Sequence, residues 1–506
     1  PPPRAGTPRG ADAPFAPRAL ADGVFVVDLA QPAGRLARTL IERDAPVDSA
    51  FARAQLAKYE RNLKRGKRAP HEGYDFYDVT AWSLPIAYGV PAYAAREPPT
   101  GGVLLRPTDS EQPDADRVAD SLAIAVPMAA RISRVGPTVL SGADGRVAHD
   151  LTGRVEGGRA TTAYVWSCRD DGALRLALRL MQEDFKVATS VKPLRAGGRD
   201  FPRGSFIVRV ERNPETLHER IVALARSSHV VAHAVHSAYT DRGDTGVGSE
   251  AVASLKRPRV ALLVDGSVSP SSYGWLWFLL ERRLGVRFTA LRVSALAGAE
   301  LHRYNVIVIP DGNPGALARA LGEGGIGTLK DWVSRGGTLV CLDDAAEFPT
   351  LKNVGLSTAA AVGVKPPDEK KDAPPDDKAP ADSVREDERR PEYVPGTVFW
   401  ASLDPQHFLA YGYDAARIPV LLQGRLFLKP SKEGANPLRF EREPLTVTGW
   451  TWPETERRLL GTAYAVDEPT GNGHVIMIVG SPAFRLFWRS TERLLLNAVV
   501  YGPTLD

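Results

Sequence analysis

Four polar side chains follow three buried strands that the sequence predicts, and each lies just after its strand ends. Asp265 and Ser267 come after one strand, Asp311 after a second and Asp343 after a third. Open α/β sheets bind ligands at the carboxyl ends of their strands. Three carboxylates at one such edge could hold a cation or a polyol. The alternative is that each aspartate caps the helix after its strand. We favour capping, and the four residues stand as the candidate ligand-binding set.

Three histidines, His229, His233 and His236, form the only histidine cluster in the sequence. On a helix, spacings of four and three residues place them on one face, where a metal ion could bind. The valines between them favour a strand, and on a strand His236 points away from the other two. We therefore favour a structural role and predict no metal ligand in this chain.

The two cysteines, Cys168 and Cys341, are too few for a disulfide scaffold or a cysteine-rich zinc module. Cys341 lies near the end of a predicted strand, where related sheets carry a nucleophile. The carboxylates of Asp343 and Asp344 follow it, and their charges raise the pKa of a nearby thiol. A reactive cysteine needs a lowered pKa. We therefore predict that both cysteines are inert.

Signatures of common catalytic sites are absent from the sequence. It has no HExxH, HxxE, paired CxxC, Walker lysine loop, GxSxG or equivalent cysteine elbow. A glycine-rich run at 322–327 looks like a dinucleotide-binding fingerprint, but that motif must directly follow a strand. The residues before it predict a helix, so we interpret the run as a helix-breaking loop. We predict no catalytic residue in this chain.

Short apolar runs alternate with amphipathic helices in the middle of the chain. The spacing of apolar residues predicts helices at 171–183 and after Asn213. The apolar runs between and around them predict strands at 164–166, 185–189, 204–208 and 229–235. This alternation indicates βαβ units and a mainly parallel sheet.

A second α/β region begins near residue 257. A near-continuous apolar run predicts a strand covered on both faces at 260–264. Further strands are predicted at 288–293, 306–309 and 338–342. Helices are predicted between them at 273–284 and 326–335, which gives a doubly wound, flavodoxin-like pattern. Residues 365–392 are rich in charge and proline, so we interpret them as a mobile charged insertion. Further strands are predicted near 397–400, 426–428 and 474–479, followed by a helix at 489–499.

An internal repeat relates 23–27 to 204–208, since each copy predicts a turn, a buried strand and an amphipathic helix. Only the second copy follows a complete strand–helix–strand unit, so we expect the chain to begin inside a module. It also starts at Pro1, without a methionine or a signal peptide. We therefore expect a processed chain or a piece of a longer one. The predicted domains are a truncated α/β module at 1–150, an α/β repeat module at 151–255 and an α/β domain at 256–506.

Composition excludes several classes of protein. Of 506 residues, 43% are hydrophobic and 25% charged, as in ordinary globular proteins. The net charge of +4 gives no global field toward nucleic acid or anionic lipid. No apolar stretch reaches the roughly 18 residues of a membrane span. We predict neither a nucleic-acid partner nor a transmembrane segment.

Several motifs lie along the chain in the order found in a bacterial family. The segment at 77–85 reads YDVTAWSLP and is followed by Gly89 and Val90. The chain here resembles the region downstream of the catalytic domain in M14-type zinc carboxypeptidase-like proteins. The segments at 26–36 and 257–262 are also similar to that family, the latter at the start of its class I glutamine-amidotransferase-like domain. Further similarities lie at 274–281, 309–311, 336–340 and 473–476.

The resemblance implies a zinc peptidase that removes C-terminal residues from peptides. That activity needs an HxxE pair, which this sequence lacks. No zinc ligand or catalytic residue is therefore carried over, and zinc is expected only in a peptidase domain upstream. Because the nucleophile elbow is also missing, the amidotransferase-like label implies fold alone. The resemblance further implies a secreted or periplasmic protein.

Two functions from different classes follow. The first is a non-catalytic accessory region of a secreted M14-type metallocarboxypeptidase-like protein, which supports or docks the peptidase or binds its substrate. Its partner is an upstream or separate peptidase domain. The alternative is a free-standing structural or interaction protein that self-assembles, as a homo-oligomer, or binds a partner.

Overall fold

The computed structural model describes residues 27, 29–30, 32–43, 47–64, 71–76, 83–90, 92–93, 153–239, 245–363 and 390–505. Most of the first repeat copy, residues 77–82 of the YDVTAWSLP segment and residues 365–389 of the charged insertion lie outside these ranges. The division at 1–150, 151–255 and 256–506 stays a prediction.

The helices and strands are numbered in chain order. The described α-helices are α1 (Gly34–Ile41), α2 (Ser49–Lys64), α3 (Leu84–Tyr88), α4 (Ala173–Gln182), α5 (Leu217–Ser228), α6 (Pro270–Trp277), α7 (Pro314–Ser334), α8 (Thr455–Leu459) and α9 (Glu492–Tyr501). The described strands are β1 (Arg154–Glu156), β2 (Ala163–Trp166), β3 (Ala188–Ser190), β4 (Leu194–Ala196), β5 (Arg199–Phe201), β6 (Phe206–Arg209), β7 (Val231–Val235), β8 (Val252–Ser254), β9 (Val260–Val264), β10 (Phe288–Arg292), β11 (Val306–Ile309), β12 (Thr338–Leu342), β13 (Ala360–Ala361), β14 (Val394–Leu403), β15 (Arg417–Gly424), β16 (Leu428–Lys429), β17 (Ala435–Arg439), β18 (Thr446–Thr448), β19 (Ala463–Thr470) and β20 (Gly473–Ile478).

Five parallel strands form the centre of the larger sheet, in the order β10-β9-β11-β12-β20. Counted along the chain, this is the 2-1-3-4-5 order of flavodoxin-like folds. Every residue of β11 and β12 is buried, because helices cover both faces of such a sheet. The predicted flavodoxin-like, doubly wound domain is confirmed.

Antiparallel strands extend this sheet beyond β20. The chain turns from β19 into β20 through Gly471 and Asn472, and Gly471 has a φ of 63°. Such two-residue turns favour glycine because they need positive φ. The sheet then continues through β17 and β14 to β15. The sequence predicts added strands near 397–400 and 426–428, which match β14 and β16. It did not predict β15, β17 or β19.

The smaller sheet differs from the predicted mainly parallel arrangement. Its order is β1-β7-β2-β6-β3-β8, and only β1 and β7 pair in parallel. The two strand–helix–strand units, β2-α4-β3 and β6-α5-β7, interleave, so β6 lies between β2 and β3. Each unit is therefore a split βαβ, as in ferredoxin-like folds. The predicted alternation of elements is confirmed, and the predicted pairing direction is wrong.

The glycine-rich run at 322–327 lies inside α7 and is not a loop. Gly322 alone leaves the helical region, with φ 63° and ψ 177°, and the helix resumes after it. A glycine can adopt this conformation without steric cost because it has no Cβ. The predicted helix break is thus one kinked residue.

The two sheets share a single hydrophobic core across α9. The ring of Phe206 stacks on Trp166 on one side and on Tyr501 of α9 on the other, with centroids 5.4 and 5.7 Å apart. The Tyr501 hydroxyl donates to the Gly204 carbonyl at 2.9 Å. Arg493 donates to the Cys168 carbonyl at 2.5 Å. These contacts hold the two α/β units in a fixed relation.

The described N-terminal helices pack on the C-terminal unit. Tyr59 of α2 stacks on Trp452 with centroids 5.1 Å apart. The carbonyl of Ala87 in α3 accepts the backbone N–H groups of Arg489 and Ser490 at 2.7 and 2.8 Å. Among the described residues, no helix is both long and apolar enough to cross a membrane.

Candidate functional site

Asp265 and Ser267 lie in the loop that follows β9. One oxygen of the Asp265 carboxylate accepts the backbone N–H of Ser267 at 2.8 Å and its hydroxyl at 2.5 Å. The other oxygen accepts the N–H of Ser294 at 3.3 Å. Ser294 follows β10, which is an edge strand of the sheet. The Asp265 carboxylate is therefore bound within its own loop and toward that edge.

Asp311 follows β11 and lies next to the same loop. Its carbonyl accepts the N–H of Ser269 at 2.6 Å, and its own N–H donates to the Ser272 hydroxyl at 3.1 Å. The backbone N–H groups of Asp344 and Gly312 lower the pKa of its carboxyl. Burial outweighs them and raises the pKa of Asp311 above its ordinary value.

Asp343 follows β12 in a strained conformation. Its φ is 56°, in the left-handed region that non-glycine residues rarely adopt. A 3₁₀ helix, Asp343–Thr350, begins at this residue. A sharp turn from a buried strand into a helix is the backbone of a nucleophile elbow. The sequence did not indicate this turn, because an aspartate occupies it and no glycine flanks it.

Three carboxylates meet at this elbow. Burial is the main cause that raises the pKa of Asp343 well above its ordinary value, and the charges of Asp311 and Asp344 raise it further. Burial also raises the pKa of Asp344, as do the charges of Asp311 and Glu347. Carboxylates so close together cannot all ionise at their ordinary pKa. The cluster therefore favours retention of a proton.

The aspartates do not cap the helices that follow them, contrary to the interpretation favoured from the sequence. Ser269 is the N-cap of α6, and its hydroxyl accepts the N–H of Ser272 at 3.4 Å. Asn313 is the N-cap of α7 and accepts the N–H of Ala316 at 2.9 Å. The residue before the 3₁₀ helix is Leu342, which has no capping side chain.

The structure brings together two of the four candidate residues. The charge of Asp311 acts on Asp343, and Asp344 adds a third carboxylate that was not in the candidate ligand-binding set. Asp265 and Ser267 are bound to each other on the side nearer β10. That these residues bind a ligand stays a prediction.

Residues from distant segments surround the carboxylates. Arg390 donates to Glu347 through two nitrogens, at 2.9 and 2.5 Å, and its charge also acts on Asp344. Arg425 lowers the pKa of Asp344 from a second side and donates to Glu392 at 3.3 Å. The sequence analysis missed both arginines, because residue 390 fell in the predicted mobile insertion and Arg425 belongs to no motif.

Neither thiol is activated. Cys341 is fully buried in β12, and burial raises its pKa. Burial also raises the pKa of Cys168, to about 11, and its thiol donates to the Arg203 carbonyl at 3.2 Å. A nucleophilic cysteine needs a lowered pKa and access to solvent. The prediction that both are inert agrees with these surroundings.

The three histidines do not converge. His229 follows α5 in the left-handed conformation, His233 lies in β7, and His236 follows that strand. His233 contacts Glu156 at 3.4 Å, whereas His236 contacts the Gly157 carbonyl at 3.2 Å. The predicted strand is confirmed, and the structural role of the three histidines stays a prediction. Within the described ranges, no group of three or more His, Cys, Asp or Glu could hold a metal ion.

No protein-family model matches the sequence, and no curated protein matches it significantly. Solved structures with a similar arrangement include a cytoplasmic protein from Salmonella typhimurium, at 13% identity and TM-score 0.30, covering 48% of this chain and 97% of that one. A glutamine amidotransferase from Thermotoga maritima has 8% identity and TM-score 0.29, covering 48% and 96%. A ThuA-like protein from Parabacteroides merdae has 13% identity and TM-score 0.30, covering 49% and 90%. No activity follows from likenesses at this level. The strand order itself gives the C-terminal unit its flavodoxin-like α/β fold.

Proposed function

We propose that this chain is the non-catalytic accessory region of a secreted M14-type metallocarboxypeptidase-like protein. In this role it supports or docks the peptidase or binds the peptidase's substrate. The proposal joins two kinds of support: the geometry of the elbow, which bears on catalysis, and the ordered motifs, which bear on the family.

The observation that carries the non-catalytic role is the occupied elbow. In an elbow that works as an acyl-transfer site, a nucleophile sits at the turn and the next N–H stabilises the oxyanion. Here Asp343 occupies the turn, and the N–H of Asp344 acts on the half-buried carboxyl of Asp311, whose pKa it lowers. A substrate oxygen would have to compete with that carboxyl for the donor. The elbow geometry thus favours a structural use of the fold.

The shared core supports a scaffolding role. Trp166, Phe206 and Tyr501 join the two α/β units, and Tyr59 packs α2 onto Trp452. A surface built from several units docks a partner well when the units keep one geometry, because less ordering entropy is lost on binding.

The family relation rests on the resemblance that begins at residue 26 and includes the YDVTAWSLP segment. On this proposal, zinc is bound by the peptidase domain and not by this chain. On the same proposal, the protein works in the periplasm or outside the cell.

The test is the intact mass, N-terminal sequence and zinc content of the protein isolated from its natural source. A much heavier product that carries zinc supports the proposal. A product of this size that co-purifies with a separate zinc peptidase supports it as a processed subunit. A product of this size that associates only with its own copies contradicts it and favours the self-assembling structural protein.

A second measurement isolates the non-catalytic claim. The purified 506-residue chain is assayed for release of C-terminal residues from peptides and for hydrolysis of amides and esters. We expect no turnover, with or without added zinc. Turnover that disappears in Asp343→Asn would place a catalytic residue at the elbow and would overturn the claim.

A further inference from the structure

A cavity of about 230 Å³ opens in the smaller α/β unit, away from the elbow. It lies where the end of α4 meets β3 and β6 and where the chain leaves β8 for the larger sheet. Its floor is apolar and is formed by Met181, Phe185, Val187, Ala188, Ile207 and Leu255. Pockets for drug-sized molecules begin near 300 Å³, so this one fits a smaller molecule.

The rim of the cavity is cationic. Lys186, Arg209, Arg212 and Arg257 line it, against the single carboxylate of Asp184. Asp184 pairs with Arg257 at 2.7 Å, but 84% of the Asp184 side chain is exposed. An exposed pair of this kind contributes little energy and is readily exchanged. The exposed Glu211 also lies 3.8 Å from Arg212. The cavity still has a surplus of positive charge, because four cations lie against these two carboxylates.

Arg209 is the most distinctive of these cations. Its Nε is buried and has no hydrogen-bond partner within the described chain. An orphaned buried donor is energetically unfavourable, and a guanidinium stays protonated in proteins. Burial and the neighbouring Arg212 lower the pKa of Arg209 more than the charge of Glu211 raises it. A bound anion would relieve both penalties.

The walls are held in place before any ligand binds. Asn213 accepts the N–H of Lys186 at 2.7 Å and donates to the Arg209 carbonyl at 2.8 Å. Ala188 pairs with Ile207 on one side and with Ser254 on the other. The backbone on both sides of the cavity is thus fixed by the sheet and by one asparagine.

We propose that this cavity binds a small organic carboxylate that carries an apolar group. The carboxylate lies against Arg209 and the neighbouring cations, and the apolar group lies on the floor formed around Ile207. An arginine fork matches a planar carboxylate, and inorganic phosphate would leave the apolar floor uncovered. The site goes beyond the proposed accessory function and does not depend on it.

The probe is N-acetyl-L-leucine, titrated into the full chain by calorimetry and by protein-observed NMR. N-acetyl-L-leucinamide has the same apolar group without the charge, and inorganic phosphate has charge without the apolar group. We expect saturable binding of the acid and at least tenfold weaker binding of the amide and of phosphate. Equal binding of the acid and the amide, or of the acid and phosphate, overturns the proposal.

Variants locate the site. Arg209→Met keeps the aliphatic stem and removes the charge, and we expect it to weaken binding of the acid at least tenfold. The matched control is Arg226→Met, at a cation on α5 outside the cavity lining, and we expect it to bind as the wild type does. Thermal unfolding of Arg209→Met checks its fold, and we expect a midpoint no lower than that of the wild type.

A second variant tests the same site if Arg209→Met does not fold. Arg212 is exposed on the rim, so Arg212→Gln should fold and weaken binding several-fold. If neither variant changes the affinity for N-acetyl-L-leucine, the acid binds elsewhere and the proposal is wrong. The ligand has two sources, a free small acid or the C-terminus of a peptide. A peptide that ends in leucine with a free carboxylate distinguishes them: if it binds as the free acid does, the site accepts peptide C-termini.

Discussion

The backbone N–H of Asp344, the residue just after the left-handed turn at Asp343, acts on the carboxyl of Asp311 and lowers its pKa. In α/β enzymes with a nucleophile elbow, that N–H helps to stabilise the oxyanion. Here the carboxyl of Asp311, at the end of the neighbouring strand, already lies near that donor. The elbow therefore has the backbone of a catalytic turn, but a carboxyl occupies the surroundings of the donor that an oxyanion would need.

Asp343→Asn should remove a pH-dependent loss of stability. The pKa of Asp343 is raised in the folded protein, first by burial and then by Asp311 and Asp344. A raised carboxyl pKa means that the folded state binds more protons than the unfolded state. The stability that Asp343 contributes is therefore fully present below its pKa in the unfolded state, about 3.9. This contribution falls as the pH rises from there toward the pKa in the folded state. Asparagine keeps the shape and tolerates the left-handed region.

The measurement is urea unfolding of wild type and Asp343→Asn at several pH values between 4 and 8. We expect the variant to gain stability relative to wild type as the pH rises. The exposed Asp331→Asn is the matched control and should track the wild type. A difference between Asp343→Asn and wild type that is independent of pH would contradict the prediction.

Arg390→Gln should destabilise the protein by about 3 kcal/mol, because it leaves the carboxylate of Glu347 buried without its partner. The two side chains form a two-nitrogen pair at 2.9 and 2.5 Å, and Glu347 is only 8% exposed. Chemical denaturation of Arg390→Gln, Glu347→Gln and the double variant gives the coupling energy. The double variant should be more stable than Arg390→Gln alone. Additive losses would show that the pair is not coupled.

Trp452→Ala should release α2 from the C-terminal unit. Trp452 packs against Tyr59, Tyr74 and Phe76, and truncation of a buried tryptophan costs about 3–5 kcal/mol. Amide hydrogen exchange should then rise across Ser49–Lys64 and stay low in the parallel sheet. Trp277→Ala, at a partly exposed tryptophan, is the control and should leave exchange in α2 unchanged. Unaltered exchange in α2 of Trp452→Ala would mean that other contacts hold the helix.

Asp467→Asn should reduce the sensitivity of the protein to acid. The Asp467 carboxylate contacts His407 at 3.1 Å and His474 at 3.0 Å. Burial raises its pKa, but the hydrogen bonds from both histidines outweigh burial, and the net pKa is lowered. A lowered carboxyl pKa contributes stability above the unfolded value of about 3.9, and that stability is lost as the pH falls through the folded pKa.

Thermal unfolding at pH 7 and at pH 3 tests this prediction. Asp467→Asn should be less stable than wild type at pH 7 by roughly 2 kcal/mol, because charge-assisted hydrogen bonds are lost. The difference should shrink at pH 3. An equal difference at both pH values would assign the loss to packing and not to charge.

Local pattern predicted the larger sheet well and the smaller one only in part. Four of the five parallel strands, β9, β11, β12 and β20, are apolar runs buried almost throughout, and a strand covered on both faces is recognisable by that composition. The edge strand β10 is mostly exposed. In the smaller sheet the same pattern predicted the strands but not their partners. Pairing direction depends on which strand inserts between which, and β6 inserts between β2 and β3. Apolar periodicity contains no information on that choice.

The sequence also predicted only part of the candidate site. The ends of the predicted strands located Asp311 and Asp343 correctly, because parallel strands end at one edge of the sheet. The contacts that turn Asp265 toward Ser294, and that bring Arg390 and Arg425 to Asp344, join residues far apart in the chain. The left-handed turn at Asp343 was also missed, since the usual signal for such a turn is a glycine.

The pairing of β20 with β12 sets the order in which the protein can fold. β12 ends at Leu342 and its neighbour β20 begins at Gly473, so more than a hundred residues are synthesised between them. During that interval β12 is an edge strand whose backbone groups are unpaired on one side and whose side chains are mostly apolar. Such a strand is a template for aggregation. Late closure of so long a loop also slows folding. A ribosome-bound chain shortened before Gly473 should therefore need a chaperone, whereas one that extends through α9 should not.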